Sequence, residues 1–252
     1  MPVSILFLLI AVIFGVLIGG VVNLMADRFA EKISLKEKCK CEKCEAELEW
    51  HDMVPLVSFL LLKGRCRSCG AKVNIRYPLV ELGNGILYMV VFMANGFNIQ
   101  SILYCLMTSA FLVISIVDER IREIPNSCNL FIGIIGLVVC IIDRDDFLNH
   151  IIGFVAVSAI LFVLFQVSNG ALIGGGDVKL MASSGLLLGW LPVTISFFLA
   201  CIIGSVCHII RMNVTKKHDH QLAMGPYLCI ALWICALWGN ELVRWYLGTM
   251  GL

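Results

Sequence analysis

Long apolar segments alternate with short polar ones over most of this chain. The first apolar run extends from about Val3 to Val22 and is followed by a polar segment that ends near Arg76. Seven further apolar segments follow, near 78–93, 99–117, 128–142, 149–167, 178–191, 193–211 and 225–246. Because a helix needs about 20 predominantly apolar residues to cross a bilayer, the pattern predicts an all-α polytopic membrane protein with about eight transmembrane helices.

The same pattern predicts three parts: a first transmembrane helix in 1–26, a small polar domain in 27–77, and a seven-helix membrane domain in 78–252. Composition agrees, since 60% of the 252 residues are hydrophobic and the mean hydropathy is +0.92, which is too apolar for a soluble domain. No Lys or Arg precedes the first apolar run, and no small-residue cleavage pattern follows it. We therefore expect a retained helix and not a signal peptide.

Positive charge is concentrated in the polar domain, where eleven of the nineteen Lys and Arg residues lie between Arg28 and Arg76. Cytoplasmic loops of membrane proteins carry the excess of Lys and Arg. With eight spans and this domain inside, the same side also receives Arg120, Arg122, Lys179, Arg211, Lys216 and Lys217. Seventeen of the nineteen are then cytoplasmic, which predicts that both chain termini lie outside.

Two cysteine pairs stand in the polar domain, Cys41-x-x-Cys44 and Cys66-x-x-Cys69, with 21 residues between them. This spacing is close to that of four thiolates that bind zinc tetrahedrally. Two disulfides are the alternative, but a cytoplasmic location is reducing and favours metal. Four thiolates leave no open coordination position, so we expect a structural zinc site. Cys39 lies two residues before Cys41 and could compete as a ligand.

Histidines offer weaker metal candidates. His51 lies in the polar domain, where four cysteines already suffice, and His218-Asp219-His220 lies in a charged loop where histidines are more often solvated. The chain contains no His-Glu-x-x-His motif, which excludes the usual zinc-protease pattern.

The stretch Gly174-Gly175-Gly176-Asp177-Val178-Lys179 places a carboxylate where one apolar segment has ended and another begins. Charged side chains at such positions are rare and mark candidate functional sites, and glycines allow another chain to approach closely. Asp177 could instead only cap the following helix. A phosphate loop fits less well, because the Walker pattern needs a Lys-Ser/Thr pair after the last glycine. Lys179 could assist Asp177, or be an ordinary positive-inside lysine.

A second acid, Asp118, ends the predicted third span and is expected at the same cytoplasmic membrane edge as Asp177. Taken alone, Asp118 is more often a solvated loop acid than a catalyst. Two neighbouring carboxylates repel each other, so one keeps a proton while the other stays ionised. Such a pair can deprotonate a water molecule and protonate a carbonyl oxygen, as amide hydrolysis requires. The sequence alone does not place the two side chains together.

Six short motifs of this chain occur in a recognisable order. They are Gly19-Gly20-Val21-Val22-Asn23 with Arg28; Cys41 to Cys69 with Trp50, Pro55-Leu56-Val57-Ser58 and Gly64-Arg65-Cys66; Arg76-Tyr77-Pro78-Leu79-Val80-Glu81-Leu82; Asp118 with Ile124-Pro125-Asn126; Gly174 to Lys179; and Met224-Gly225-Pro226-Tyr227. Over nearly its whole length the chain resembles the bifunctional type IV prepilin peptidases, also called prepilin leader peptidase/N-methyltransferases. The departures are modest: Met224 where the family usually has Phe, Glu42 where it often has proline, and the additional Cys39.

The resemblance implies that Asp118 and Asp177 are the catalytic acids of a membrane aspartic endopeptidase, with Asp177 in the GxGD motif of intramembrane proteases. This enzyme would remove the basic leader of type IV prepilins and pseudopilins after its terminal glycine. The implied supporting residues are Gly174, Gly176, Lys179, Pro125 and Asn126. The implied location is the prokaryotic inner membrane, with an active site on the cytoplasmic face, membrane lipid around it and no nucleic-acid partner.

The resemblance further implies that the enzyme methylates the new N-terminal amine with S-adenosylmethionine. The residues alone define no pocket for this methyl donor. By similarity, the positions to consider first are Glu81, Gly83 and Gly85.

Two other classes of protein are compatible with parts of the pattern. A transporter would use Asp118 and Asp177 to carry protons or cations, but such acids usually lie near the bilayer centre and not at its edge. A non-catalytic membrane scaffold would use only the zinc domain, and it should keep working when both acids are replaced by Asn.

The charge distribution yields a prediction about topology. Reporters fused at Ala94–Asn98 and at Asp143–Asp146 should report the outside, and reporters at 120–122 and 216–220 should report the inside. An inside signal at Asp143–Asp146 would contradict both the number of spans and the shared face of the two acids.

Overall fold

The computed structural model describes residues 5–34, 37, 39–41, 43–47, 54–171, 173–215 and 223–249. Over these ranges the regular structure is helical apart from two isolated β-bridges. The helices are α1 (Ile5–Glu31), α2 (Val57–Leu61), α3 (Arg76–Asn95), α4 (Ile99–Ile121), α5 (Asn126–Ile142), α6 (Phe147–Val167), α7 (Gly175–Leu188), α8 (Trp190–Thr215) and α9 (Gly225–Thr249). Glu42, Trp50, His51 and the 218–220 tract lie outside the described residues.

Among the described helices, α1, α3, α4, α6 and α8 are long and apolar enough to cross a membrane. Shorter apolar helices span Asn126–Ile142 and Gly225–Gly239. The predicted all-helical class is confirmed, and the count of eight spans stays a prediction. The 14 residues of α7 measure about 21 Å, less than the roughly 30 Å of a bilayer core.

Several helices, α1 and α4 among them, extend past the apolar runs that predicted them. α1 continues to Glu31 and includes Asn23, Asp27 and Arg28, and α4 continues to Ile121, so that Asp118 lies inside the helix. Hydropathy locates the end of an apolar surface, whereas a helix continues as long as its backbone hydrogen bonds are made. The predicted boundaries at 26/27 and 77/78 therefore fall within α1 and α3.

The residues group into two compact units, Met1–Val113 and Ile114–Leu252. In the first unit α1 packs on α3 through small residues. A Cβ atom on Gly15 would lie 2.7 Å from the Cα of Gly85, and one on Gly19 would lie 2.6 Å from the Cα of Glu81. The buried Asn84 also donates from Nδ2 to the Gly15 carbonyl at 2.7 Å. Gly15 and Gly19 thus form a small-xxx-small contact of the kind that lets membrane helices approach closely.

In the second unit α7 is the central helix, and it packs against α5, α6 and α8. Its buried residues are Leu180, Met181, Ser183, Ser184, Gly185, Leu186, Leu187 and Leu188. The approach to α6 is the closest, because a Cβ atom on Gly185 would lie 2.0 Å from the carbonyl oxygen of Gly153. Gly136 of α5 similarly faces the backbone of Leu186 and Leu187. α7 is therefore held by protein on several sides.

We expect Gly185→Ala to lower the melting temperature of the detergent-solubilised protein, because the added methyl group meets backbone that cannot rotate away. Overpacking of this kind typically costs about 1–3 kcal/mol. Gly133→Ala is the matched control, since its Cβ atom would make an ordinary 3.8 Å contact with Ser183. Both changes raise helix propensity, so their difference reports packing. An unchanged melting temperature for Gly185→Ala would contradict the close contact between α6 and α7.

Candidate functional site

Asp118 lies in the last turn of α4 and is buried, with 6% of its surface exposed. Its Oδ2 atom accepts a hydrogen bond of 2.8 Å from the backbone N–H of Gly225, the first residue of α9. A buried carboxylate needs such a partner, since an unpaired one is costly in an apolar environment. Asp118 is therefore not the solvated loop acid that the sequence alone favoured.

Asp177 is half-buried and is the third residue of α7, whose N-cap is Gly174. Its backbone N–H donates to the Gly174 carbonyl at 3.1 Å, and a backbone hydrogen bond at Gly174 also acts on its carboxyl group. Gly174, and not Asp177, therefore caps the helix. A Cβ atom on Gly174 would lie 3.0 Å from Asp177 Oδ2, so the glycine makes room for the carboxylate.

The two acids lie close enough for their charges to interact. Cys229 of α9, which is 2% exposed, lies near both of them. The second unit thus brings together two carboxyl groups that have 58 residues between them in the sequence. Two such groups resist ionising together, which is the condition for one to act as a base while the other holds a proton.

The loop between α4 and α5 packs on the start of α7. A Cβ atom on Gly176 would lie 2.9 Å from the Cβ of Ile124. Pro125 is the N-cap of α5, and Asn126, its first residue, accepts a 2.8 Å hydrogen bond from Lys179 Nζ through Oδ1. The exposed Lys179 therefore links α7 to α5. Gly176 and the 124–126 loop set the position of the α7 N-terminus next to the chain segment that follows Asp118.

Sequence reasoning missed two residues of this region. Asn129 is 5% exposed, donates from Nδ2 to the Gly176 carbonyl at 3.4 Å, and has a buried Oδ1 without a hydrogen-bond partner in the described structure. The sequence does carry a signal for Asn129, since it is a polar residue in an apolar segment and lies one helical turn after Asn126. Cys229 lies in the apolar segment 225–246, where a cysteine is most often a small packing residue, so the sequence carries no signal of its place near the acids.

The four predicted zinc ligands form one cluster. The Sγ atoms of Cys41, Cys44, Cys66 and Cys69 all lie within 4.8 Å of one another, and those of Cys41 and Cys69 are 3.9 Å apart. Zinc–sulfur bonds of 2.3 Å in a tetrahedron place sulfur atoms about 3.8 Å apart, so the cluster fits zinc. All twelve cysteines are free thiols, which does not support the disulfide alternative.

The two halves of the cluster repeat the same local fold. The N–H of Cys41 donates to Ala46 and its carbonyl accepts from Glu45, while the N–H of Cys66 donates to Ala71 and its carbonyl accepts from Gly70. Glu45 and Gly70 both have a positive φ, of 55° and 69°. This repeat is not visible in the sequence, because the cysteines are almost the only residues that the two halves share.

Backbone hydrogen bonds of Lys43 and Cys44 lower the pKa of the Cys41 thiol to about 6. The pKa of Cys44 is instead raised to about 11: a backbone hydrogen bond of Ala46 lowers it, but desolvation and the thiols of Cys69 and Cys41 raise it overall. The Cys41 thiolate thus forms readily, and its negative charge disfavours ionisation of a second thiol in the cluster. A divalent cation removes this repulsion, which is a further reason why the cluster suits zinc.

Cys39 lies outside the four-thiol cluster. Its Sγ atom is 3.8 Å from an Arg28 guanidinium nitrogen, and Arg28 also donates to the carbonyl groups of Ser34 and Glu37. Arg28 thereby holds the segment that follows α1 against the end of that helix. The possible competition of Cys39 for the metal is not supported by this geometry.

The predicted methyl-donor residues do not form one surface. Glu81 is buried and accepts hydrogen bonds from Leu56 N–H at 2.8 Å and from Asn23 Nδ2 at 3.5 Å. A Cβ atom on Gly85 would lie 2.8 Å from a methyl group of Val16, whereas Gly83 faces open space. Glu81 and Gly85 therefore serve the contact of α3 with α1 and the turn before α2. This trio does not fit a pocket for S-adenosylmethionine.

The fold and the paired acids define a helical membrane protein with a candidate acid–base site. A family model described as Bacterial Peptidase A24 N-terminal domain matches residues 13–95, and one described as Type IV leader peptidase family matches residues 105–209. The chain belongs to the type IV leader peptidase family.

Curated relatives named Prepilin leader peptidase/N-methyltransferase come from several bacteria. The protein from Stutzerimonas stutzeri is 27% identical, with 96% of this chain and 94% of the relative covered. The proteins from Aeromonas salmonicida (strain A449) and Xanthomonas campestris pv. campestris are each 30% identical, with 83% and 82% of this chain and 74% of each relative covered. No solved structure matched the chain.

The cluster predicts about one zinc per chain in reduced, purified protein, measured by elemental analysis. Changing any of Cys41, Cys44, Cys66 or Cys69 to Ser should lower the zinc content and destabilise the surrounding segment, because the remaining thiolates no longer close the tetrahedron. Cys39→Ser is the matched control and should keep its zinc. A zinc-free wild-type protein of normal stability would contradict the assignment.

Proposed function

We propose that this protein is a membrane aspartic endopeptidase that removes the leader peptide of type IV prepilins and pseudopilins after glycine, and that it also methylates the new N-terminus. The observation that carries the proposal is the interaction between Asp118 and Asp177 in a chain of the type IV leader peptidase family. The names of the relatives supply both activities.

The pair is suited to amide hydrolysis. The ionised carboxylate takes a proton from water as the water oxygen bonds to the scissile carbonyl carbon, while the protonated carboxyl group gives its proton to the carbonyl oxygen. The carbon–nitrogen bond then breaks: the group that took the water proton gives it to the leaving amine, and the other carboxylate takes back a proton from a hydroxyl of the tetrahedral intermediate as the new carboxyl group forms. Each aspartate thereby returns to its starting protonation state.

The cofactors have separate roles in this proposal. Zinc at Cys41, Cys44, Cys66 and Cys69 stabilises the polar segment and takes no part in hydrolysis, because four thiolates leave no open position. S-adenosylmethionine supplies the methyl group when bound. Since Glu81 and Gly85 are engaged in helix contacts, we assign no donor site to them.

For the membrane arrangement we propose about eight spans, with the polar segment and the active site on the cytoplasmic face of the inner membrane and both termini outside. The distribution of Lys and Arg supports this direction, and the five membrane-length helices among the described residues are consistent with it. Membrane lipid and prepilin substrates are the expected partners.

Asp118→Asn and Asp177→Asn should each abolish leader removal while protein level and zinc content stay normal. Asn keeps the size of the side chain and removes proton exchange. General acid–base groups typically contribute about 100- to 10,000-fold each, and groups that act as a unit do not show additive losses. The double variant should therefore be about as inactive as either single one. The measurement is the mass of a purified prepilin after incubation, which shows loss of the leader and gain of a methyl group.

Glu119→Gln is the matched control, because Glu119 follows Asp118 directly but is exposed. The Glu119→Gln variant should cleave prepilin normally.

Asp177→Glu should lose activity, as the Asn variants do, since the space beside Gly174 is narrow. Near-normal cleavage by either Asn variant would show that these acids are not the catalytic pair, and unchanged biological function of both would favour the scaffold alternative.

A further inference from the structure

Gly225 makes an unusual contact with Asp118. It is buried at the start of α9, and its N–H donates to Asp118 Oδ2 at 2.8 Å. A Cβ atom added to Gly225 would lie 2.7 Å from Oδ2, 2.8 Å from Cγ and 2.9 Å from Cβ of the same aspartate. Any side chain at position 225 would therefore occupy the space of the Asp118 carboxyl group.

The other close glycines of this chain face different partners. Gly15 and Gly185 lie against the backbone of a neighbouring helix, so they serve helix packing. The three nearest atoms to a Cβ on Gly225 all belong to the Asp118 side chain. A substitution there would push the Asp118 carboxyl group aside and would also press on Asp118 Cβ, which is fixed to α4. Removal of the Asp118 side chain therefore separates the effect on the carboxyl group from helix packing.

The first turn of α9 explains why its donor is available. The first N–H groups of a helix have no partner within the helix and carry the positive end of its dipole. Leu228 N–H closes the first turn on the Met224 carbonyl at 3.0 Å. Pro226 has no N–H, so Gly225 is the donor of this Gly-Pro pair. A backbone N–H is fixed by the helix, and it fixes in turn the carboxylate oxygen that it binds.

We propose that Gly225 is a positioning residue for leader removal: its N–H holds Asp118 Oδ2, and its missing side chain leaves room for the Asp118 carboxyl group in that orientation, so that Oδ1 is the oxygen that exchanges protons with water and substrate. The N–H hydrogen bond makes Oδ2 the less basic of the two carboxylate oxygens, so we assign the proton transfer to Oδ1. The inference rests on the proposed function, because it assigns Gly225 to the Asp118–Asp177 pair.

Gly225→Ala tests the inference in the purified full-length enzyme with a prepilin substrate. The variant should lower kcat by roughly 100-fold, since a misplacement of about 1 Å at a reacting group costs that much. KM should stay within about twofold of wild type, because substrate binding does not depend on this hydrogen bond. Gly248→Ala, in the same helix and in open space, is the matched control and should leave both constants unchanged.

A second measurement holds even if Gly225→Ala is unstable. If the added methyl group meets only Asp118, then any loss of melting temperature caused by Gly225→Ala should disappear in an Asp118→Gly background. The same loss in both backgrounds would show that Gly225 serves helix packing and would overturn the inference. This comparison of melting temperatures does not depend on the catalytic role of Gly225 or Asp118.

The outcomes separate the two proposals. Failure of the wild-type enzyme to cleave prepilin, or normal cleavage by Asp118→Asn, would overturn the proposed function itself. A wild-type kcat for Gly225→Ala, in an enzyme that Asp118→Asn inactivates, would overturn only the role of Gly225. A KM that rises with little change in kcat would also overturn it, since Gly225 would then affect substrate binding.

Discussion

The close approach of α6 and α7 at Gly153 and Gly185 is the contact on which the second unit depends. With 14 residues, α7 is shorter than a bilayer core, so the surrounding helices must hold it in place. A glycine on each helix lets the two backbones touch, and this sets how far α7 extends toward the loop before α5. Because Asp177 is the third residue of α7, the same contact determines where this acid lies.

Both acids are held by backbone N–H groups near the starts of helices. Gly225 at the start of α9 donates to Asp118, and a backbone hydrogen bond at Gly174, the N-cap of α7, acts on Asp177. Such donors cannot rotate away as a side chain can, so they orient a carboxyl group before substrate arrives. In each case glycine also provides the space that the carboxyl group occupies. Gly225 and Gly174 thus have equivalent roles: each orients one of the two carboxyl groups from the start of a helix.

The helical class, the four-cysteine cluster and the pairing of Asp118 with Asp177 were predictable from apolar segment lengths, Cys-x-x-Cys spacing and family motifs. The end of α4 was not, because hydropathy stops at Val117 while the helix continues through Asp118 to Ile121. Nor were the contacts of Gly85 and Gly225, which depend on which helices meet. A motif marks such a glycine, but only the fold distinguishes one that packs against a helix from one that accommodates an acid.

The central claim is that Asp118 and Asp177 act as one unit in which a single proton is held. The most direct measurement is the pH dependence of kcat/KM for leader removal, followed over a range in which zinc content stays constant. The account predicts a bell-shaped profile, because the rate rises as one carboxyl group ionises and falls as the second loses its proton. A profile with only one limb would contradict the account, since one group would then suffice.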